Sequence, residues 1–386
     1  MRILHTIPSL NARDGGPPEA LKRMVRALNE IGVETEIATT THGLDLPASA
    51  STGDLINHEG VPVRFFPQVA WLRKYGFSTE CRRWLKQNAR NYDIIHTHAV
   101  LSPFSSVAMG CARKQGVPYL IRPLGVLSPW SLTQGKWKKR LFVRLIDRAN
   151  LAQAAAIHCT SEKEALDVEA LHLGPEARVI PHGVTIPTKC VHATDKLRAM
   201  VEAGPSDRLI VFIGRLHPKK GLDLLLKALA KCGRSDFKLV LAGEGDSAFV
   251  ESLKQLAATL SLSEKLHLIG FVSGKEKDIL LQGADLFALT SHHENFALAA
   301  LEALAAGTPV LLSDNVDLAP VVVGNKLGWV STLELESISS CLKEFFHSGM
   351  PDADFPVRAR NLVEQQYSWT HQARQLESLY RRILSA

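Results

Sequence analysis

The chain of 386 residues contains no apolar stretch of the roughly 18 uninterrupted residues that a helix needs to span a bilayer. Its first residues, MRILHTIPSL, lack the long apolar run and the small-residue cleavage site of a signal peptide, and they are typical of a strand. We therefore expect a protein that stays in the cytoplasm.

The cysteine and histidine patterns of metal sites are also missing. The six cysteines are scattered without a C-x-x-C pair, which argues against a zinc site or a disulfide framework and favours buried, reduced thiols. None of the fifteen histidines lies in an H-E-x-x-H pattern, so metal catalysis has no support in the sequence. We expect no metal cofactor.

Tryptophan and tyrosine are few, with six and five residues, and they do not cluster as base-stacking platforms, which argues against a nucleic-acid partner. Charge is uneven instead. Residues 1–190 carry 24 Lys and Arg against 16 Asp and Glu, whereas the remainder carries 21 against 23. A basic half can attract phosphates, anionic lipid headgroups or nucleic acid, and the sign of the charge alone does not choose among them.

Apolar periodicity alternates between strands and helices in both halves of the chain. The first series starts with RILHTI, a glycine loop and a helix, and continues through VETEIATT, VPVRFF, YDIIHTH, VPYLIR and AAAIHCT. The second series starts near Asp207 with RLIVFIG and continues through FKLVLAG, KLHLIG, ADLFALT and TPVLLSD. This pattern predicts an α/β fold with two Rossmann-like, doubly wound domains, which bind ligands at the carboxyl ends of their parallel strands.

A stretch with little periodicity separates the two series. Residues 181–205 contain three prolines and two glycines, a composition that is typical of a connection between domains. We therefore expect a first domain over residues 1–187, a linker over 188–206, a second domain over 207–365 and a terminal helix over 366–386.

Two cations follow the first strand of the second series. In GRLHPKKG, Arg215 and Lys220 lie on a loop that opens the helix beginning near Leu222. A diphosphate there would gain a bidentate guanidinium contact, an ammonium charge and the unpaired amides of the first helical turn. The alternative is a solvated basic loop without a ligand.

Two carboxylates follow the strand ADLFALT. Glu294 lies just before an Ala- and Leu-rich helix that Gly307 ends, and Glu302 lies inside that helix. Carboxylates accept hydrogen bonds, so Glu294 could hold hydroxyls of a transferred hexose and Glu302 those of a ribose, while the amides of residues 295–297 (Asn295, Phe296 and Ala297) hold a diphosphate. The alternative makes Glu294 a capping or first-turn acid and Glu302 an exposed helix residue.

These motifs resemble the donor-binding domain of family-four retaining glycosyltransferases with the GT-B fold, in the segments FIGRLHPKKGLDLLLKAL, LAGEGD and HHENFALAALEALAAGTPVL. The likeness continues in GGPPEAL, YDIIHTHAV, TSEKEA, VIPHGV and YSWTHQARQLESLYRRIL, in that order, and so covers nearly the whole chain. It implies a nucleotide-diphosphate-sugar donor as co-substrate, no other cofactor, and a terminal helix that crosses back to the first domain.

The resemblance also implies roles for single residues. Arg215 and Lys220 would neutralise the leaving diphosphate, Glu294 would contact the donor sugar and Glu302 would bind the ribose. Gly15 and Gly16 would approach the phosphate, and glycine suits that position because the backbone comes close without a Cβ atom; the alternative is a tight turn.

The chain departs from the family pattern at two positions. Leu124 stands in Arg122-Pro123-Leu124-Gly125 where the family often has His or Arg, which removes a polar contact near the sugar that Arg122 could replace. Ala297 stands where the family's Glu-Asn-Phe-Gly turn has glycine, so we expect this position to adopt a helical conformation and not a positive φ.

Three further features are candidates for an acceptor side. His98 could line the cleft at the end of its strand, whereas His96 and His182 are interpreted as structural. Residues 136–148 form a basic amphipathic pattern that could lie on an anionic membrane and meet a lipid-linked acceptor; the alternative is an ordinary surface helix.

The sequence therefore predicts a metal-independent retaining hexosyltransferase whose acceptor is a glycan, a lipid-linked glycan or a small molecule. A nucleotide-sugar epimerase of similar fold, or a non-catalytic scaffold that binds sugar nucleotides, is the alternative.

Overall fold

The computed structural model describes residues 1–11, 16–43, 52–69, 76–133, 147–349 and 352–386. The chain divides into two compact units, of which the first comprises Met1–Gly183 with Trp369–Ala386 and the second Val184–Ser368. None of the helices among the described residues combines the length and the apolar character needed to cross a bilayer. Gly15 and most of the basic segment 136–148 lie outside the described residues.

The first unit is built on an eight-stranded sheet. Its strands are β1 Arg2–Thr6, β2 Glu34–Thr40, β3 Leu55–His58, β4 Val61–Phe66, β5 Ile94–His98, β6 Tyr119–Arg122, β7 Ala156–Cys159 and β8 Ala177–Val179. They lie in the order β3-β4-β2-β1-β5-β6-β7-β8, and all pairs are parallel except β3 with β4. Its described helices are α1 Gly16–Glu30, α2 Thr79–Asn88, α3 Pro103–Gln115, α4 Pro129–Thr133, α5 Arg148–Ala152, α6 Glu162–Glu169 and, from the end of the chain, α15 Trp369–Ser385.

The second unit is built on a six-stranded, all-parallel sheet. Its strands are β9 Arg208–Ile213, β10 Phe237–Ala242, β11 Leu266–Gly270, β12 Leu286–Leu289, β13 Val310–Ser313 and β14 Gly328–Ser331, in the order β11-β10-β9-β12-β13-β14. Its helices are α7 Ala193–Met200, α8 Leu222–Lys231, α9 Ser247–Thr259, α10 Gly274–Gly283, α11 Leu298–Ala306, α12 Ala319–Gly324, α13 Leu335–Ser348 and α14 Phe355–Tyr367. The predicted α/β fold with two parallel sheets is therefore what the chain adopts.

The expected linker over residues 188–206 is not a linker in the structure. Helix α7 falls within it and packs Leu197 and the following Val201 against Leu209 and Leu280 in the core of the second unit. Proline and glycine content suggested a connection there, but the burial of these apolar residues ties the segment to the second sheet. The chain instead passes between the units at residues 183–184 and again at 368–369.

The first sheet carries a polar layer on the face that α1 and α15 cover. Toward the amino ends of the strands this face is apolar, with Ile3, Ile94, Leu120 and Ala156 in the core. Further along the strands the same face carries the polar layer, which is buried. Four of its members lie two residues after these apolar ones, and His98 follows two residues after His96; the layer consists of His5, His96, His98, Arg122 and His158.

The imidazoles of the polar layer hydrogen-bond one another and α15. The Nδ1 atom of His96 lies 2.7 Å from the hydroxyl of Tyr380, and its Nε2 atom lies 3.3 Å from Nδ1 of His158. His158 also contacts the carbonyl oxygen of Ile180 at 2.8 Å, and Nδ1 of His5 lies 2.9 Å from Nε2 of His98. Helix α15 is thereby joined to the middle of the first sheet.

Burial keeps these histidines neutral. It lowers the pKa of His96, His98 and His158 well below the usual range, and burial together with the nearby Arg122 lowers the pKa of His5 to about 3. The pKa of Arg122 is itself lowered to about 10 by burial. The guanidinium of Arg122 would repel a protonated imidazole in this buried layer, so a further positive charge there is disfavoured.

The polar layer makes the first unit sensitive to acid. Below about pH 6.5 the unfolded histidines bind protons that the folded ones do not, so the free energy of unfolding decreases by about 1 kcal/mol for each such histidine over the first pH unit. For His5 this loss continues down to its folded pKa of about 3. We expect hydrogen exchange to show that protection of β5 decreases from pH 7 to pH 5.5 much more than protection of β9, which serves as the internal control. Equal losses in the two strands would contradict this account.

Candidate functional site

The predicted cations and the first carboxylate lie at the carboxyl ends of β9 and β12. These strands are neighbours in the middle of the second sheet, and the strand order runs outward from them in opposite directions. In open parallel sheets the crevice at such a reversal is where ligands bind, because the loops on either side leave to opposite faces.

The loop after β9 is pressed against the end of β12. Gly221 has a φ of 62°, and a Cβ atom there would lie 2.0 Å from the carbonyl oxygen of Thr290, so only glycine fits. The Thr290 hydroxyl donates a hydrogen bond to the carbonyl oxygen of Gly221 at 2.8 Å. Ser291 and His292 bind the carbonyl oxygen of Lys219 through a hydroxyl and an amide, at 2.9 and 2.8 Å. The backbone on either side of Lys220 is therefore held by the residues that directly follow β12.

The loop after β10 supports the same loop from the other side. Gly243 has a φ of 144°, and a Cβ atom there would lie 1.9 Å from the carbonyl oxygen of Gly214. The amide of Leu216 donates to the carbonyl oxygen of Glu244 at 2.8 Å. Arg215, between these contacts, has a backbone that is held on both sides and a side chain that is exposed.

Glu294 pairs with Lys220 in an ion pair whose two side chains are each only 19% exposed. The Glu294 backbone is bound to the turn after β13, through its amide to Asn315 at 3.1 Å and through its carbonyl oxygen to the amide of Asp317 at 3.0 Å. Glu294 does not cap α11, because Ala297 occupies the capping position. The capping alternative is therefore wrong.

Glu294 is ionised and is surrounded by positive charge. Burial raises the pKa of this carboxyl, but Lys220 and Lys219 lower it more, and the net pKa lies below its usual value. Burial lowers the pKa of Lys219. With Arg215 exposed nearby, this loop cluster carries three basic side chains and one carboxylate, and its excess positive charge suits a diphosphate.

The expectation that Ala297 avoids a positive φ is wrong. Its φ of 57° and ψ of 60° place it in the left-handed region, directly before the first residue of α11. Alanine here takes a backbone conformation that glycine adopts more easily, at the cost of crowding its Cβ atom against the backbone.

The segment before α11 contributes its backbone to this edge of the sheet. Phe296 is buried, and its ring packs 6.0 Å from that of Tyr367, so its side chain belongs to the core. Asn295 is half-buried. Residues 295–297 precede α11 and are not its first turn, so the expected diphosphate contact would come from a turn that leads into the helix.

Glu302 is neither exposed nor alone. Its Oε1 atom lies 2.7 Å from Nζ of Lys277 in α10, and the two side chains are 20% and 21% exposed. The alternative of an exposed helix residue is therefore wrong. Lys277 is absent from the predicted site because no spacing within the sequence indicates that α10 lies beside α11.

The first-unit candidates are arranged differently. Gly16 is exposed and is the first residue of α1. His98 and Arg122 are each 1% exposed, so neither side chain is accessible as expected for a residue that lines a cleft. His98 binds His5, and Arg122 donates to Nδ1 of His182 at 3.0 Å.

Leu124 follows Arg122 with a φ of 57°. The next residue, Gly125, donates its amide to the buried carboxylate of Glu164 at 2.6 Å. That carboxylate also accepts the amide and the hydroxyl of Thr160, at 2.7 and 2.9 Å. The Leu124 turn is therefore held by Glu164 of α6, whose carboxylate is itself held by Thr160 directly after β7, whatever side chain Leu124 is replaced by.

Within the described residues, His5, His96 and His98 are the one group of three whose ligand atoms all lie within 4.8 Å of one another. Both His96 nitrogens already contact Tyr380 and His158, and His5 contacts His98. Arg122 is close enough to oppose a further cation. The chemistry of the group fits a neutral hydrogen-bonded cluster better than a metal site.

Two family models match consecutive parts of the chain. Residues 194–354 match the model described as glycosyl transferases group 1, and residues 15–183 match a glycosyl transferase 4-like domain. Together the two matches cover most of both structural units.

Relatives with known names match the chain from end to end. A D-inositol 3-phosphate glycosyltransferase of Jonesia denitrificans is 27% identical, over 99% of this chain and 95% of its own length. A GDP-mannose:cellobiosyl-diphosphopolyprenol alpha-mannosyltransferase of Komagataeibacter xylinus is 22% identical, over 100% and 94%.

Solved structures share the fold. HepE of Anabaena, in complex with UDP and glucose, superposes with a TM-score of 0.78 at 18% identity, over 99% of this chain and all of that one. Sucrose-phosphate synthase of Thermosynechococcus elongatus superposes with a TM-score of 0.80, also at 18% identity, over 100% and 99%. The two parallel-sheet units, the loop cluster at β9 and β12 and the two family models agree: this chain belongs to the group 1 glycosyltransferases and has the GT-B fold.

Proposed function

We propose that this glycosyltransferase moves a hexose, with retention of configuration, from a nucleotide-diphosphate sugar to a glycan, a lipid-linked glycan or a small molecule. The observation that carries the donor part is the loop cluster of Arg215, Lys219 and Lys220 around Glu294, at the strand-order reversal of the second sheet. The HepE structures contain UDP and UDP-glucose, which supports a nucleotide sugar as donor.

The charges of the cluster suit the breaking of a glycosidic bond to diphosphate. Negative charge grows on the leaving diphosphate in the transition state, and preorganised cations stabilise it most where water is scarce. Lys220 would have two roles. It would hold Glu294 in place, and it would donate its remaining N–H groups to the phosphate. Glu294, which is ionised, would accept hydrogen bonds from sugar hydroxyls.

We propose that the reaction needs no metal ion, because Arg215, Lys219 and Lys220 can supply the positive charge that a metal would otherwise bring to the diphosphate. The carboxylate of this cluster is paired with a lysine, so it is poorly placed to act as a general base that activates an acceptor for inversion. This arrangement supports retention of configuration.

The acceptor side rests on the relatives' names. They specify inositol 3-phosphate in one case and a cellobiosyl-diphosphopolyprenol in another, so acceptors that carry phosphate are the first to test. We propose a cytoplasmic location with peripheral contact to an anionic membrane. The predicted contact runs through the basic segment 136–148, and the exposed cations Arg82, Arg83 and Lys86 on α2 add support from the first unit.

Removal of the cluster's charges tests the donor site. We expect Arg215→Ala and Lys220→Met each to lower kcat/KM about 100-fold or more, because each removes a donor to the leaving diphosphate. Lys227→Met, an exposed lysine of α8, should leave kcat/KM unchanged. Binding is measured by calorimetry with UDP-, GDP- and ADP-sugars, and turnover by product analysis.

The double variant Lys220→Met with Glu294→Gln guards against misfolding, since it leaves no buried unpaired charge. A folded double variant that still binds nucleoside diphosphate as tightly as the wild type would show that the cluster is not the donor site.

Product analysis of the wild type with donor alone tests the epimerase alternative. Conversion of that donor into an epimer would favour an epimerase instead.

Chelation tests the metal independence. We expect full activity after EDTA treatment and dialysis, because protein cations neutralise the diphosphate. Loss of activity that added Mg²⁺ or Mn²⁺ restores would contradict this proposal.

The turn at Ala297 is tested by restoring glycine. Ala297→Gly relieves a left-handed alanine, so we expect the free energy of unfolding to rise by about 0.5–1 kcal/mol. Because the backbone already adopts this conformation in the wild type, the substitution leaves the site geometry unchanged. We therefore expect kcat/KM to change less than about threefold. A gain of tenfold or more would show that alanine impairs the site.

A further inference from the structure

Glu302 is the one charged residue of helix α11, whose sequence is LAALEALAA. Its neighbours in sequence, Leu301 and Ala303, are buried in the core of the second unit. A carboxylate beside core residues adds little to solubility and packs poorly. The helix itself therefore does not require it.

The partner of Glu302 is equally unexpected. Lys277 is the fourth residue of α10, close to the helix N-terminus, where the macrodipole disfavours a cation. The two groups nevertheless meet at 2.7 Å with only a fifth of each side chain exposed. Largely buried ion pairs add little to stability, because the loss of hydration offsets their attraction, so the pair is better explained by what it does to the carboxylate.

We propose that Lys277 is a positioning residue for nucleotide recognition. It holds Glu302 through Oε1, and Oε2 is thereby directed to accept a ribose hydroxyl of the nucleoside diphosphate. This inference rests on the proposed function, because it assumes that the donor nucleotide extends from the loop cluster toward α10 and α11.

The geometry predicts a specific effect on ribose recognition. A carboxylate that is already held by one oxygen loses little freedom when a hydroxyl binds to the other, whereas an unheld glutamate must be ordered at the time of binding. A hydrogen bond from a hydroxyl to a charged acceptor then gives the wild type a preference of about tenfold for ribose over deoxyribose.

The experiment measures that preference. Calorimetry gives the Kd of UDP, GDP and ADP and, for the tightest of them, of its 2′-deoxy and 3′-deoxy forms. We expect Lys277→Met to reduce the ribose preference to about threefold or less, and Lys277→Arg to retain it. Lys275→Met is the matched control, because Lys275 is exposed on the same helical turn, and it should behave as the wild type.

Each outcome bears on a different statement. An unchanged ribose preference in folded Lys277→Met overturns the role of Lys277, and if that variant does not fold, Lys277→Gln is measured in its place. If Glu302→Gln loses the ribose preference while Lys277→Met keeps it, Glu302 contacts the ribose without Lys277. If no nucleoside diphosphate binds the folded wild type, the proposed function fails, and this inference fails with it.

Discussion

Backbone contacts without room for a Cβ atom determine the shape of the loop cluster. At three glycines an added Cβ atom would lie within 2.2 Å of a carbonyl oxygen, so no other residue fits. These contacts are Gly221 with Thr290, Gly243 with Gly214 and Gly245 with Leu216. Together they fix the loops after β9, β10 and β12 relative to one another. The cations and Glu294 are thus presented by a rigid backbone, which is the condition for electrostatic preorganisation.

The two sheets use their carboxyl ends in different ways. In the second sheet the ends of β9 and β12 carry charges that are half-buried or exposed, close to one another and unequal in number, so positive charge remains for a ligand. In the first sheet the polar layer is fully buried, and apart from Arg122 it is kept neutral by burial. The first arrangement is suited to binding an anion, whereas the second mainly joins α15 to the sheet.

Much of the fold follows from the sequence because strand and helix periodicities are strong in both halves. The placement of Arg215, Lys220 and Glu294 at one edge also follows, since each comes directly after a strand of a parallel sheet. The backbone of Ala297 did not follow, because its left-handed turn is imposed by the loop that holds it and not by alanine's own preference. Lys277 beside Glu302, and Tyr380 beside His96 across 284 positions, depend on helix packing that spacing does not specify.

The end of the chain belongs to the unit in which the chain begins. The second unit is thus an insertion between β8 and α15, and it is complete in sequence before α15 is translated. Until then the apolar face of the first sheet that receives Leu376 and Tyr380 lacks α15, and His96 lacks its phenol partner. Synthesis from the amino terminus therefore completes the units in reverse order. The second unit can fold while the first still lacks α15.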